Sequence, residues 1–494
     1  MQHRDPDFYR HLRGEFSDIR RWLDRGIVLA YAALAGLMVV ALTLLANWTF
    51  GLFSRLVAAA PWAALLWTPA VTALIAWLTR RFFPRATGSG IPQVIAALHP
   101  ALQAGRQGRF VSLRLAAAKL LLTGAGFLGG LSIGREGPSV QVAAGVMAHA
   151  SRWFRGRPNA LSPNALLVAG GAAGIAAAFN APLAGVVFAI EELSRQMESR
   201  YSAVIVACIV LAGLIGVSVF GNGAYFGVIR VAPLDWHALL PGLAVALACG
   251  LAGGLFARLL IASLSGRSRD RLTPLRQRHP VGFAAGLGLA IAVVGLASRG
   301  QTWGSGIEPV RELLGGQVHA VTALFGPLKF IATWLSSWSG VPGGLFSPSL
   351  AVGAGIGYDV SLLFGEPLGT ALIAMGMAGF LAAVTQAPLT AFIIVMEMID
   401  GRPMVLSLMA VALIAATISR AISRPLYHTL AGFQLEQLRA QEEAAAAAAL
   451  SQATAQEQAT QAGESAASAA PSPEAATPES AAPLPQTPPP AQTP

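Results

Sequence analysis

The sequence predicts an all-α polytopic membrane protein, built as an inverted-topology internal repeat of many tilted, partly discontinuous helices. Three observations predict it. Hydrophobic residues make up 54% of the 494-residue chain and charged residues only 12%, about half the charged share of a soluble domain. Several apolar segments are too long for one span or are broken by glycine and proline. Short motifs of the first half also return, in order, in the second.

Taken along the chain, Arg4, Arg10, Arg13, Arg20, Arg21 and Arg25 are mixed with acids. That pattern predicts a cytosolic N-terminal helix over 1–26 rather than a secretory signal. Apolar segments follow at 27–50, 61–79, 115–133, 163–190 and 202–220, within a first membrane repeat spanning 27–230. A second repeat over 231–425 holds segments at 236–264, 281–298, 317–336, 345–364, 368–399 and 403–422. Segments 163–190 and 368–399 exceed one span, while 136–150 is shorter than the roughly 20 residues a span needs. Broken helices at membrane depth are tolerated only where their ends are buried or line a cavity, which favours a transporter or channel over a receptor bundle. Residues 426–494 are expected to form a cytosolic C-terminal helix and a disordered Ala/Gln/Pro-rich tail. The stretch 433–494 holds seven glutamates and one arginine, so the basic excess belongs to the membrane part. There it suits cytoplasmic loops, and no folded basic face points to nucleic acid.

Gly88-Ser89-Gly90-Ile91 returns in the second half as Gly304-Ser305-Gly306-Ile307. Lys119 and Lys329, the only lysines, are separated by nearly the same interval, and Pro138-Ser139 and Pro348-Ser349 repeat it again. Asn180-Ala181-Pro182-Leu183 matches Gln386-Ala387-Pro388-Leu389 at a slightly shorter interval, and each is followed by an apolar run ending in glutamate. Loop charge argues for an inverted repeat, with a parallel one as the alternative. Arg267, Arg269, Arg271, Arg276 and Arg278 follow the first long apolar run of the second half, whereas the matching loop of the first offers Arg55. Equivalent loops with opposite charge bias belong on opposite sides, and such inverted repeats place substrate sites near the midplane.

Three glycine-proline motifs fall at breaks: Gly88-Ser89-Gly90-Ile91-Pro92, Gly134-Arg135-Glu136-Gly137-Pro138 and Gly343-Gly344-Leu345-Phe346-Ser347-Pro348. Glycine permits an unusual backbone, and proline suits the first turn of a helix. A helix start exposes unpaired N–H groups and about half a positive charge, so several converging starts hold an anion without a buried cation. Glu136, at such a start, either mimics that anion or merely caps its helix. Glu191 and Glu192 end an apolar run near Arg195, where they read as functional carboxylates at membrane depth or as an interfacial ion pair. Lys119 reads as a positive-field element; Lys329 could instead snorkel to the surface.

Together these motifs resemble the CLC family of chloride channels and chloride/proton exchangers, most of all its bacterial exchangers. The resemblance covers about residues 27–430 and includes AFNAPLAGVVFAIEEL between the second and third motifs. It implies the CLC fold and a homodimer with a separate pathway in each subunit. It further implies that Ser89, the backbone of Gly137, Leu345 and Phe346, and the Tyr427 hydroxyl bind the anion. Glu136 would be the gating and outer proton glutamate, and Glu192 the inner proton glutamate, with Glu191 its partly accessible neighbour.

The expected function is secondary active exchange of chloride, or another small anion, for protons. The alternative is a passive voltage- or pH-gated chloride channel of the same fold. Glu192 favours exchange, because a passive pore has no use for an inner proton acceptor. An enzyme is not expected: no HExxH, CxxC or Walker loop occurs, and Ser89 and Ser139 lack a nearby histidine. No metal or other cofactor is expected beyond chloride as substrate. Gly124-Ala125-Gly126-Phe127-Leu128-Gly129 fits a dinucleotide fingerprint but lies in an apolar segment, where close helix packing explains it. The expected location is a bacterial inner membrane, with both termini cytoplasmic.

Overall fold

Proline, glycine and serine decide where the helices start and stop. A computed structural model describes residues 19–102, 105–154, 161–193, 202–221, 223, 225–227, 236–266, 272–316, 323–364 and 368–468. The first half contains α1 (Ile19–Ala59), α2 (Ala64–Phe82), α3 (Ile91–Leu98), α4 (Leu113–Leu128), α5 (Glu136–Ala150), α6 (Pro163–Phe179), α7 (Pro182–Phe188) and α8 (Ser202–Phe220). The second contains α9 (Leu239–Ser265), α10 (Leu272–Arg278), α11 (Pro280–Ala297), α12 (Ile307–Leu314), α13 (Phe325–Trp338), α14 (Phe346–Phe364), α15 (Gly369–Thr385), α16 (Pro388–Met398) and α17 (Val405–Ile422). The last helix, α18, runs Leu426–Ser468. Ser112 and Ser162 cap α4 and α6 by accepting the N–H of Leu115 and Ala165, satisfying donors that a helix start leaves open.

The two overlong segments break at equivalent residues. Asn180 (φ 56°) ends α6 and Gln386 (φ 60°) ends α15, both left-handed. Pro182 and Pro388 then restart the chain as α7 and α16, which suits proline's lack of an N–H. The short segment 136–150 is α5 from end to end. Among the described residues, seven helices are long and apolar enough to cross a membrane.

Equivalent elements of the halves pack on each other, α2 on α11 and α7 on α16. Gly134 and Gly344, equivalent positions of the two repeats, form an antiparallel bridge. A residue bonded reciprocally to its own repeat equivalent lies on a local two-fold axis, so the halves are two-fold copies meeting at the motifs. The core follows these contacts, whereas Trp48, Leu66, Leu121, Leu214 and Leu406 face outward, as a lipid-bathed surface allows. Gly124 and Gly126 pack against Leu45 and Ile133, in keeping with helix packing rather than a nucleotide loop.

The chain divides into two compact units, Met1–Leu435 and Glu436–Pro494. The described part of the second is helix through Ser468, and its side chains are exposed from Gln441 to Gln461 except at the half-buried Glu442. Its glutamine-, glutamate- and alanine-rich composition favours helix without a core. The cytosolic helix expected before residue 19 and the Pro-rich tail from 469 lie outside the described residues.

Candidate anion and proton transport site

Two helix starts from the first half and one from the second are forced together by glycine. Gly90 precedes α3 with φ 112°, and a Cβ there would strike the Gly137 carbonyl. A Cβ on Gly137 would in turn collide with Ser89, 2.7 Å from its carbonyl oxygen. Ser89 therefore sits directly on the first turn of α5. Across the two-fold, Gly343 donates its N–H to the Gly88 carbonyl at 3.1 Å, which ties the approach to α14 to the same loop.

Glu136, the first residue of α5, is fully buried. Its carboxylate does not cap its own helix. It crosses to α14, where it accepts the Ser347 hydroxyl and, at 3.4 Å, the Ser347 N–H. A carboxylate thus occupies the N-terminus of another helix, the kind of site that binds free anions.

Phe346 stands at the centre of the aromatic cluster below that contact. Its ring stacks on Phe179 at 6.2 Å, meets Phe188 edge-on at 6.2 Å and leans on Tyr427 at 6.1 Å. Leu345, Phe346 and Gly137 are all buried. The Tyr427 hydroxyl is near enough to Ser89 to interact, and lies within electrostatic range of Glu192 and Glu136. Yet no well-formed hydrogen bond closes between the two hydroxyls: among the described residues, Ser89 Oγ and Tyr427 Oη are both buried without a partner. A buried hydroxyl without a partner costs free energy. Two such hydroxyls facing one another can be satisfied by an acceptor between them.

Glu192 is buried in the π-helical turn Ala189–Leu193 that ends α7, a geometry that recurs at functional sites. Glu191, beside it, is half-buried and points elsewhere. Its carboxylate accepts the N–H groups of Leu389 at 3.1 Å and Thr390 at 2.6 Å, at the start of α16. Glu397, at the end of α16, accepts those of Leu183 at 3.2 Å and Ala184 at 2.7 Å, at the start of α7. The two glutamates are spaced as the Ala-Pro-Leu motifs they cap, so each is the repeat equivalent of the other. The ion pair with Arg195 lies outside the described residues.

Both lysines are buried, and neither snorkels. Lys119 donates to the carbonyls of Ala86 at 2.8 Å and Gly88 at 2.6 Å. Lys329 donates to those of Thr302 at 3.0 Å and Gly304 at 2.7 Å. Each ties down the loop leading into a Gly-Ser-Gly-Ile turn, so Lys119 lies behind the Ser89 loop.

Comparison with known proteins decides the family. Residues 70–420 match the family described as voltage gated chloride channel. The chain belongs to that family. An H(+)/Cl(-) exchange transporter ClcA of Citrobacter koseri is 31% identical over 441 residues, covering 83% of this chain and 90% of the relative. The ClcA of Salmonella arizonae is 31% identical over 418 residues, covering 80% and 85%. The solved structure of a slow cyanobacterial Cl-/H+ antiporter has a TM-score of 0.69 at 26% identity, covering 84% of this chain and 97% of that one. A CLC-type fluoride/proton antiporter, at 22% identity and a TM-score of 0.67, shares the fold.

Within this voltage gated chloride channel framework, the structure brings Ser89, Glu136, Gly137, Leu345, Phe346 and Tyr427 together at the meeting of the helix starts. Sequence reasoning missed Ser347, Glu397 and Arg135. Arg135 donates to Asn47 at 2.9 Å and to the Tyr225 hydroxyl at 2.5 Å. It lines, with both partners, a cavity of about 790 Å³. Glu397 had a visible signal, the glutamate ending each repeated apolar run. Ser347 had none apart from its place between Phe346 and Pro348.

Proposed function

We propose that this protein exchanges chloride for protons across a membrane, the activity that its relatives' names state for them. One observation carries the reading: the Glu136 carboxylate lies on the Ser347 N–H and hydroxyl at the start of α14. A side chain that occupies an anion site competes with a free anion for it. Protonation removes the charge that the helix start attracts. The neutral carboxyl then leaves, and the cavity beside Arg135 has the room to receive it.

Chloride takes the vacated Ser347 donors and, next to them, a site held by donors only. Ser89 and Tyr427 contribute their hydroxyls, and Gly137, Leu345 and Phe346 contribute backbone at helix starts. No full positive charge contacts the anion, so binding stays weak enough to release it. Glu192 serves the proton alone, because its carboxylate would repel an anion on the same route. The Tyr427 hydroxyl, within range of both carboxylates, marks where the two routes part.

The same reading makes the protein a homodimer with one pathway per subunit. It sits in a bacterial inner membrane with both termini in the cytoplasm, and needs no cofactor. The test is simultaneous chloride and proton flux in proteoliposomes of purified protein. Exchange requires that a chloride gradient drive protons uphill; chloride movement that never does so supports the passive channel instead.

A further inference from the structure

Away from the transport site, α9, α13 and α14 enclose a crevice of about 470 Å³, the size of a small-ligand pocket. Ala252, Pro327, Phe330, Ile356 and Leu363 line it, and among the described residues Asp359 is its only charged one. Asp359 is half-buried, with no hydrogen bond or ion pair among the described residues. A carboxylate facing apolar surroundings is expensive unless something pairs with it.

The position of the crevice says what that something is. The face of α14 bearing Gly353 and Gly357 packs onto α15, at Gly376 and Leu372, which leaves the other face for the crevice. Its mouth is flanked by Leu363, 80% exposed, and Ile331, 40% exposed, so it opens on lipid rather than water. Phe346 begins α14 at the anion site, near the midplane in a repeat-built transporter. Asp359 lies about 20 Å further along the helix. Even a tilt of roughly 40° leaves it about 15 Å from that level, where hydrocarbon gives way to headgroups.

We propose that this crevice binds one lipid whose headgroup carries a primary ammonium, its acyl chain along α14 and its ammonium on the Asp359 carboxylate. From Asp359 back to Val352 the crevice follows about 10 Å of α14 toward the midplane, room for the upper part of a chain. An ethanolamine headgroup offers three N–H donors to the carboxylate; a choline headgroup is as positive but offers none. An anionic headgroup is repelled.

The test is native mass spectrometry of the full-length protein titrated with phosphatidylethanolamine, phosphatidylcholine or phosphatidylglycerol of identical acyl chains. The expected result is one ethanolamine lipid per chain, bound about tenfold more tightly than the choline lipid, as a charge-assisted bond implies. Asp359→Asn should abolish that preference without changing chloride flux, and Ala252→Phe, which fills the crevice, should displace the lipid whatever its headgroup. Equal binding of all three lipids, or a preference that survives Asp359→Asn, would overturn the proposal. So would occupation of the crevice by a second copy of the chain, seen as an oligomer lost in Ala252→Phe.

Discussion

Gly134 and Gly344 each donate a backbone N–H to the other's carbonyl, at 2.8 and 2.7 Å, although they belong to opposite halves of the chain. This reciprocal pair fixes the start of α5 against the start of α14. Glu136, just after one glycine, is thereby delivered to Ser347, just after the other.

Gly134 also leaves space for the carboxylate. A Cβ there would land on Glu136 Oε2 and sit 3.0 Å from Pro348 Cδ. A flexible carboxylate moves more cheaply than a proline on a buried helix start. Gly134→Ala should therefore fold, yet keep Glu136 off α14 and make chloride flux less dependent on pH than in wild type. Unaltered pH dependence in reconstituted vesicles would contradict this.

Ser347→Ala should weaken the gate. The Ser347 hydroxyl bonds to Glu136 and holds its charged, blocking form on α14, by about 1.5–3 kcal/mol for a bond to a charged group. Without it the carboxylate leaves α14 more readily, so resting chloride flux should rise several-fold above wild type. Chloride efflux from loaded vesicles measures this, and flux at or below the wild-type level would refute the assignment.

The crossed caps predict a stability effect away from the anion. Glu397→Ala leaves two N–H groups at the start of α7 without their acceptor and should cost about 2 kcal/mol. Glu397→Gln, which keeps one carbonyl oxygen, should cost about half as much. Thermal unfolding in detergent reads both, and equal midpoints for the two variants would argue against capping.

Breaks and repeats were legible because glycine, proline and a left-handed Asn180 or Gln386 act locally. Convergence of Ser89, Glu136 and Phe346 was legible only through motifs and family resemblance, since contacts between opposite halves of a chain leave no periodicity. The targets of Glu191 and Glu397 were illegible: each caps a helix of the opposite half, and only the two-fold axis brings them there. Lys329 could be read as snorkelling because its carbonyl partners belong to a loop with no apolar pattern.

Ser89→Pro should shift preference from chloride toward nitrate. It deletes the Ser89 hydroxyl, which is buried without a hydrogen-bond partner among the described residues, and so weakens the hold on the more strongly hydrated anion. Uptake of the two anions in competition measures the ratio, and an unchanged ratio would remove Ser89 from the site.

The most direct measurement is chloride efflux from loaded vesicles with external pH recorded at the same time, for wild type, Glu136→Ala and Glu192→Gln. Wild type should drive protons uphill. Glu136→Ala should pass chloride without protons and without pH dependence, having lost both gate and outer acceptor. Glu192→Gln should also stop pumping protons but keep pH-sensitive chloride transport through the intact Glu136. Wild-type chloride flux that never moves protons uphill, or pumping that persists in Glu192→Gln, would contradict the exchange of one ion for the other through these two carboxylates.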